Sequence, residues 1–331
     1  MKKIVIVTCE EDTHADFFAE HFNESGIDFF RLNTDRIHDK YHISHDNFRT
    51  VITNVYNEKS IDLDRVSSIW WRRPTSVYLQ SPQIEENLFA DRETKSTIRG
   101  LLLGIDTHWV SHPDNIDRAE RKIDQLRRAH RMGFNVPRTV ITNRKSDVID
   151  FINSVKKRII YKTLCGPSIN DLSYFRRMGF KIDQPDLLTT QTTILTKDII
   201  NQMESVQNAP ILVQEYIEKD YELRVTVIGN DVFSCRIDSQ SDPETMIDWR
   251  NYQVEIPHSI YYIPEDLADL CRKFVKSYKL NYSALDIIKS TDGKYYFVEN
   301  NPNGQFLWVE CHCPEIGMTP AMTNLLLNHQ H

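Results

Sequence analysis

The chain has 331 residues, a length that suits about two or three small domains with a sizeable core. Its composition is 40% hydrophobic and 26% charged, which is ordinary for a globular protein. The net charge of −7 argues against a general nucleic-acid-binding protein but leaves room for a local basic pocket. No signal peptide and no apolar run long enough to span a membrane are evident, so we expect a cytoplasmic protein.

The first third of the chain predicts a small α/β domain, because it opens with a strand, a helix and a second strand. The predicted elements are a β-branched strand at 3–9, a helix up to residue 22, strands at 27–32, 51–55 and 68–71, a helix at 83–104 and a connector at 109–113. The first domain is therefore expected at residues 1–113.

The rest of the chain is predicted to form a central domain at 114–208 and a C-terminal domain at 209–331. The central domain begins with a basic amphipathic helix at 117–132, and its part at 165–208 is polar and irregular. The other predicted elements are strands at 136–142, 158–164, 211–217, 223–228 and 231–237, a hairpin around 191–195, and helices from 197 and at 147–155, 264–278 and 319–328. This pattern predicts an α/β (α+β) fold.

The segment 284–305 holds the strongest functional signal. Two strand-like runs flank Asp292-Gly293, a dipeptide suited to a two-residue hairpin turn. In that register Asp286 lies opposite Glu299, and Asn301 points to the same face. Facing carboxylates repel each other, whereas a bridging Mg²⁺ would turn them into a binding site. The alternative is a solvated hairpin face.

Two further segments are candidates for nucleotide binding, although no Walker-type loop or dinucleotide fingerprint is present. Lys122 on the basic helix and Lys162 on a later strand could converge on a polyphosphate. Residues 214–217, Gln214-Glu215-Tyr216-Ile217, form an extended segment whose backbone could contact an adenine edge. Each feature also has an ordinary interpretation, as solvated lysines and a plain strand.

Five arginines lie in strands or beside tryptophans: Arg72, Arg73, Arg224, Arg236 and Arg250. A guanidinium on a half-buried strand normally has an anionic partner, which could be a structural carboxylate or a phosphate or carboxylate ligand. No nucleophile constellation accompanies them. The close pair Cys311 and Cys313 flanks His312, but further zinc ligands at suitable spacing are not evident, so we expect a structural or incidental role.

The order of these motifs resembles that of the ATP-grasp ligases, and within them the graspetide (microviridin- and plesiocin-type) peptide macrocyclases. Four local motifs carry the closer resemblance: SIWWRRP at 68–74, KIDQL at 122–126, DWR at 248–250 and ENNPNGQ at 299–305. The resemblance covers nearly the whole chain and is weakest across residues 165–208.

The resemblance implies an ATP-grasp fold with a Rossmann-like pre-ATP-grasp domain, a small central domain and a C-terminal antiparallel-sheet domain. ATP and Mg²⁺ are the implied cofactors. By position, Lys122 and Lys162 would bind phosphates, Glu215 and Ile217 would lie at the adenine, Glu222 near the ribose, and Asp286, Glu299 and Asn301 would bind magnesium. Arg224 and Arg236 would stabilise charge at the reacting groups, and Arg72, Arg73 and Arg250 would contact an acidic peptide or have a structural role.

The implied reaction joins an activated Glu or Asp side chain of a ribosomally made precursor peptide to a Thr or Ser hydroxyl or a Lys amine. The implied partners are that precursor, with a leader bound around residues 165–208 and an acidic, Thr-rich core, and a second copy of the chain in a homodimer. Two alternatives remain: an ATP-grasp ligase that adds amino acids to a peptide or protein terminus, and a nucleotide-binding regulator without turnover.

Overall fold

The structure is a computed structural model that describes residues 3–77, 79, 81–165, 181, 192–250 and 254–327. Three sheets of four or five strands and one small antiparallel sheet form its framework. No helix within these ranges is long and apolar enough to cross a membrane. The predicted leader-binding segment at 165–208 falls largely outside the described residues, as does residue 191 of the predicted hairpin.

The N-terminal part is built on a parallel sheet with strand order β2–β1–β6–β7. Its elements are β1 (Lys3–Thr8), α1 (Thr13–Glu24), β2 (Phe29–Asn33), α2 (Ile37–Lys40), β3 (Tyr41–His45), β4 (Thr50–Asn54), β5 (Ser60–Asp62), β6 (Val66–Trp71), α3 (Ile84–Leu103) and β7 (His108–Val110). The apolar side chains of β1 are buried on both faces, as in other parallel sheets covered on both sides. The β3–β4–β5 sheet is antiparallel.

The central part is a four-stranded sheet with order β10–β9–β11–β8. Its elements are α4 (Pro113–Ala119), α5 (Lys122–Met132), β8 (Thr139–Thr142), α6 (Lys145–Val155), β9 (Ile159–Lys162), β10 (Thr193–Ile194), α7 (Lys197–Asn201) and β11 (Ile211–Glu215). The predicted helix at 117–132 is thus two helices, which separate at Glu120 and Arg121. Gly133 ends α5 with a φ of 101°, a left-handed conformation that favours glycine.

The C-terminal part is a five-stranded antiparallel sheet with order β14–β13–β12–β15–β16. Its elements are β12 (Lys219–Ile228), β13 (Asp231–Ile237), β14 (His258–Ile260), α8 (Glu265–Ser277), β15 (Tyr282–Ser290), β16 (Tyr295–Asn301), α9 (Leu307–His312) and α10 (Met318–Leu327). Leu223, Ile287 and Phe297 pack against Phe274 of α8 in the main core. The opposite face carries Glu222, Arg224 and Asp286. At its Ile228 end this face packs into a second core cluster with residues of the N-terminal part.

The β15–β16 hairpin confirms the predicted pairing of Asp286 with Glu299, although its loop length and the register near the turn differ from the prediction. The loop has three residues rather than two, since Ser290 pairs with Lys294 and only Gly293 has a positive φ, at 84°. This shifts the pairing near the turn by one residue. A β-bulge beside Asp286, with Val298 as the extra residue, restores the predicted register at the carboxylates.

Candidate active site

One cleft brings most of the predicted site residues together between the central and C-terminal sheets. Its lining includes Lys122, Lys162, residues 214–217, Lys219, Glu222, residues 248–250, Asp286 and Glu299. Lys122 is the first residue of α5 and Lys162 the last residue of β9, so each lysine leaves its element at the cleft. The two lysines and the two carboxylates therefore line the same cleft.

The two carboxylates experience opposite electrostatic environments although they are paired across β15 and β16. Burial raises the pKa of Asp286, although Arg224 opposes the shift. Burial also acts to raise the pKa of Glu299, but Lys122, Lys162 and Arg250 outweigh it and hold the pKa below its usual range. Glu299 is therefore the more firmly ionised member of the pair.

Both lysines act electrostatically on Glu299. Lys122 Nζ lies 3.5 Å from Glu299 Oε2 and donates to the Thr163 carbonyl at 3.1 Å. Burial lowers the pKa of Lys162, although Glu299 acts in the opposite direction. Two cations at one carboxylate leave positive charge in excess on this side of the cleft, which suits an anionic ligand.

Arg224 lies on the neighbouring strand β12, directly opposite Asp286. Its Nη1 donates to Asp286 Oδ1 at 2.6 Å, and its Nη2 donates to the Gln305 carbonyl at 3.4 Å. The residue is 9% exposed, and its Nε is buried without a hydrogen-bond partner among the described residues. Such a guanidinium can stabilise charge that develops close to Asp286.

The predicted adenine segment continues from β11. Gln214 Nε2 donates to Thr139 Oγ1 at 2.9 Å, and Glu215 Oε1 accepts from the Arg138 backbone at 3.0 Å. Both side chains are thus engaged by protein groups. Tyr216 Oη donates to the Met246 carbonyl at 3.3 Å. These contacts hold the extended segment along the cleft, where Ile217 also lines it.

Lys219 is a cleft residue that the sequence analysis did not single out. It is 8% exposed, and its Nζ donates to Glu222 Oε1 at 2.8 Å and to the Ile247 carbonyl at 2.9 Å. The pairing of β12 with β15 shifts by one residue between Lys219 and Tyr221. A regular alternation would place Lys219 with Tyr221, so only the bulge turns it towards Glu222.

Three predicted arginines do not present a free guanidinium to the cleft. Arg236 pairs with Leu223, whereas Arg224 pairs with Cys235, so Arg236 lies on the opposite face of the sheet. There it contacts Asp238 at 2.6 Å and the Tyr221 ring. Arg72 is 1% exposed and pairs with Asp12, and Arg73 is exposed outside the cleft lining.

Arg250 does reach the cleft, held by Asp248. Its Nε donates to Asp248 Oδ1 at 2.8 Å and its Nη2 to Asp248 Oδ2 at 2.7 Å. The hydrogen bonds that Arg250 donates to Asp248 are the main reason that the pKa of Arg250 is raised. This bidentate pair fixes a permanently charged group beside Trp249, another residue of the cleft lining.

The donor set at the hairpin fits magnesium in its chemistry. Two carboxylates on adjacent strands and the amide of Asn301 offer the hard oxygen ligands that Mg²⁺ prefers. Asn301 Nδ2 donates to Asp286 Oδ2 at 3.2 Å, so the amide already lies at the carboxylate pair. Rotation of this amide would present its oxygen instead. Among the described residues, no group of three or more His, Cys, Asp or Glu could hold a metal ion, and this includes the Cys311–Cys313 segment.

Two family models match the chain. Residues 3–117 match the MvdD pre-ATP grasp domain, and residues 186–313 match the RimK-like ATP-grasp domain. A comparison with curated proteins found no match.

Solved structures resemble the chain over nearly its whole length. A RiPP-associated ATP-grasp ligase of Chryseobacterium gregarium, described in complex with ADP and a leader and core peptide, is 26% identical over 100% of this chain and 98% of that chain, with a TM-score of 0.85. The macrocyclase MdnC of Microcystis aeruginosa MRC, bound with precursor peptide MdnA, is 25% identical over 98% and 99%, with a TM-score of 0.83. The ATP-grasp ligase PsnB, complexed with a minimal precursor, Mg and ADP, is 20% identical over 98% and 96%, with a TM-score of 0.74, and shares the fold.

The cleft, with its two lysines, its extended segment after β11 and its carboxylate pair, lies between the two sheets expected of an ATP-grasp fold. The matched models cover the N-terminal parallel sheet and most of the region from residue 186 onwards. The chain therefore belongs to the ATP-grasp ligases and joins an MvdD-type pre-ATP-grasp domain to a RimK-like ATP-grasp domain.

Proposed function

We propose that this chain macrocyclises a ribosomally made precursor peptide at the expense of ATP. A Glu or Asp side chain of the peptide takes the γ-phosphoryl group and becomes an acyl phosphate, with release of ADP. A Thr or Ser hydroxyl, or a Lys amine, then attacks the acyl carbon. The new ester or amide closes a ring while phosphate and a proton leave. Ester formation is the expected outcome from the graspetide resemblance.

One observation carries the proposal. The chain combines a cleft that brings lysines, an arginine and a carboxylate pair together with a likeness, over at least 98% of its length, to two ligases of 25–26% identity that were solved with peptides. A peptide ligase of this kind needs positive charge at transferring phosphoryl and acyl groups, and the cleft supplies it from several elements.

The proposed residue roles come from the graspetide resemblance and are supported by the geometry of the cleft. Lys122 and Lys162 bind ATP phosphates, the segment 214–217 binds the adenine, and Glu222 lies near the ribose. Asp286, Glu299 and Asn301 would hold Mg²⁺, which would supply positive charge to the phosphates. Arg224 stabilises the acyl phosphate.

The other predicted arginines are assigned different roles. Arg250 is the cleft's remaining candidate for contact with the acidic peptide. Arg73 is a second candidate because it is exposed. We no longer propose a catalytic role for Arg236, and Arg72 is better explained by its buried partner Asp12.

The setting and assembly belong to the same proposal. The six cysteines are free thiols, which accords with a reducing, cytoplasmic compartment. A homodimer and an acidic, Thr-rich core peptide are proposed from the graspetide resemblance. The predicted boundaries at residues 113 and 208 are proposed as domain limits.

Mass spectrometry of a candidate precursor encoded beside this gene tests the function. The peptide is incubated with the protein, ATP and Mg²⁺. Stepwise, ATP-dependent loss of water is expected, and fragmentation locates the rings. Addition of amino-acid mass would instead support the terminus-tagging ligase. Binding of ATP without consumption, with every acceptor tried, would support the regulator.

A further inference from the structure

A buried histidine in the helix that follows β1 contacts the segment that follows the β15–β16 hairpin. His14 lies in the first turn of α1 and is 3% exposed. Its Nε2 is 3.0 Å from the backbone nitrogen of Phe306 and 3.1 Å from that of Leu307. Both N–H groups donate to this ring atom, so the hydrogen bonds assign the proton to Nδ1. The contact joins two segments that are 292 and 293 positions apart in sequence.

His14 is itself held by a buried ion pair. Asp12 Oδ1 accepts from the His14 backbone at 3.1 Å, and the two carboxylate oxygens accept from Arg72 at 3.3 Å each. Burial, with a further contribution from Arg72, lowers the pKa of His14 to about 3. The ring is therefore neutral near pH 7 and can accept hydrogen bonds.

Burying the unsatisfied Nδ1–H of His14 costs free energy, which argues against a role for this ring as core packing alone. His14 Nδ1 is buried without a hydrogen-bond partner among the described residues. An apolar ring would fill the same volume against Phe306, whose centroid is 5.2 Å away, without burying an unsatisfied donor. What an apolar ring cannot supply is the acceptor for the two backbone N–H groups.

The loop held by His14 is pressed against Arg224. A Cβ atom at Gly304 would lie 2.8 Å from Ala284 Cβ and 3.2 Å from Arg224 Nη2, so this position has no room for a side chain. The next residue, Gln305, accepts from Arg224 Nη2 at 3.4 Å. A shift of the loop would therefore displace the guanidinium that donates to Asp286.

We propose that His14 is a positioning residue: by accepting hydrogen bonds from Phe306 and Leu307, it holds the loop 302–306 and the start of α9 against Arg224 and so aligns the guanidinium with the reacting groups. The inference rests on the proposed function of the cleft. His14 touches neither nucleotide nor metal ligand in this scheme, and it acts through the loop alone.

Three variants separate the acceptor from the volume of the ring. His14→Gln can place Oε1 near the position of Nε2, His14→Asn is too short to do so, and His14→Phe keeps a ring without an acceptor. Hydrogen–deuterium exchange of the peptide 302–312 reports the contact without any need for activity. Ring formation and nucleotide titration report kcat and the ATP affinity.

We expect faster hydrogen–deuterium exchange at 302–312 in His14→Phe and His14→Asn. In His14→Gln we expect the exchange rate of the wild-type protein. We expect kcat to fall about 100-fold in His14→Phe, the loss typical of a reacting group displaced by about 1 Å, with ATP affinity nearly unchanged. In an Arg224→Lys background the same substitution should add little, because both changes act on one group.

Each contrary result has its own meaning. Unchanged exchange in His14→Phe and His14→Asn would overturn the contact. Faster exchange with unchanged kcat, equal losses in the Gln and Asn variants, or additivity with Arg224→Lys would overturn the positioning role. If His14→Phe does not fold, the comparison of His14→Gln with His14→Asn still tests the acceptor role of His14. If the wild-type protein forms no rings, the proposed function fails, while exchange still decides the contact.

Discussion

At the scale of single residues, the cleft contains two facing carboxylates that are not equivalent. Glu299 is kept ionised by Lys122 and Lys162, whereas burial raises the pKa of Asp286. A bridging cation would favour the ionised form of both, because each carboxylate then faces positive charge. Their chemistry therefore depends on what occupies the cleft.

Removing the charge of Glu299 tests the metal assignment. We expect Glu299→Gln to lower ring formation by about 100-fold or more, since a ligand that positions charge at the phosphates is lost. Asn301→Ala should act in the same direction. The measurement is product mass over time, with the melting temperature as the check on folding. Near-normal activity of both variants would exclude this metal site.

The two arginines of neighbouring strands form a matched pair for mutation. Arg224→Ala should lower kcat about 100- to 1,000-fold with little change in ATP affinity, because in the proposed function its guanidinium, which contacts Asp286, would stabilise the reacting groups. Arg236→Ala should leave kcat close to normal, because its side chain lies on the other face of the same sheet. Equal losses in both variants would contradict the assignment of faces.

Burial of Lys162 predicts a pH dependence of nucleotide binding. Its pKa lies below that of an ordinary lysine, and the neutral amine cannot attract phosphate. ATP affinity should therefore be constant below this pKa and fall about tenfold per pH unit above it. Lys162→Arg should retain affinity at high pH, because a guanidinium stays charged. Titration calorimetry of both proteins over about pH 7 to 10 checks this, and parallel curves would assign the titration to another group.

At the scale of elements, one side chain ties the helix that bears Lys122 to the strand that bears Glu299. Gln125 of α5 is 2% exposed. Its Nε2 donates to the carbonyls of Ala119 and Asn300, and its Oε1 accepts from the Asn300 backbone at 3.0 Å. Helix and strand are thereby held in one register, which keeps Lys122 near Glu299.

Gln125→Glu tests this contact with almost no change of shape. The variant replaces an amide donor by an acceptor that faces two carbonyls, so we expect a loss of about 1–3 kcal/mol in the free energy of unfolding. Activity should fall as well, because Lys122 moves relative to Glu299. Urea unfolding measures the stability, with Gln207→Glu, at an exposed position, as the control. Similar stability of the two variants would show that the contact contributes little.

At the scale of the whole molecule, the proposed homodimer gives the simplest test. Light scattering coupled to size-exclusion chromatography should report a mass twice that of the 38.9-kDa chain. The value should hold on dilution if the interface is stable, because dissociation is set by concentration. A mass of one chain at all concentrations would remove the dimer from the proposal.

Nucleotide binding should also stabilise the whole molecule. A ligand at 100 times its Kd adds about 2.7 kcal/mol to the free energy of unfolding when it binds only the folded state. We therefore expect Mg²⁺ with ADP to raise the melting temperature, and Glu299→Gln to lose the part that depends on Mg²⁺. Thermal shift assays with ADP alone and with both ligands separate the two contributions.

The sequence by itself determined those features of the fold and the site that depend on local geometry. Strand alternation put Asp286, Glu299 and Asn301 on one face, and hydrophobic patterning found the βαβ opening, α3, α6 and α8. The glycine after Met132 marked the end of α5. These features depend on nearest neighbours and on backbone geometry, which the residues themselves dictate.

Tertiary structure decided the rest. The three-residue hairpin loop and the bulge at Val298, the bulge that turns Lys219 into the cleft, and the face of Arg236 all depend on strand pairing, which couples residues far apart in the chain. A shift of one residue reverses every side chain of a strand, and no local propensity encodes that choice. For the same reason the hydrogen bonds that Phe306 and Leu307 donate to His14, across 292 and 293 positions of sequence, could be found only in the folded structure.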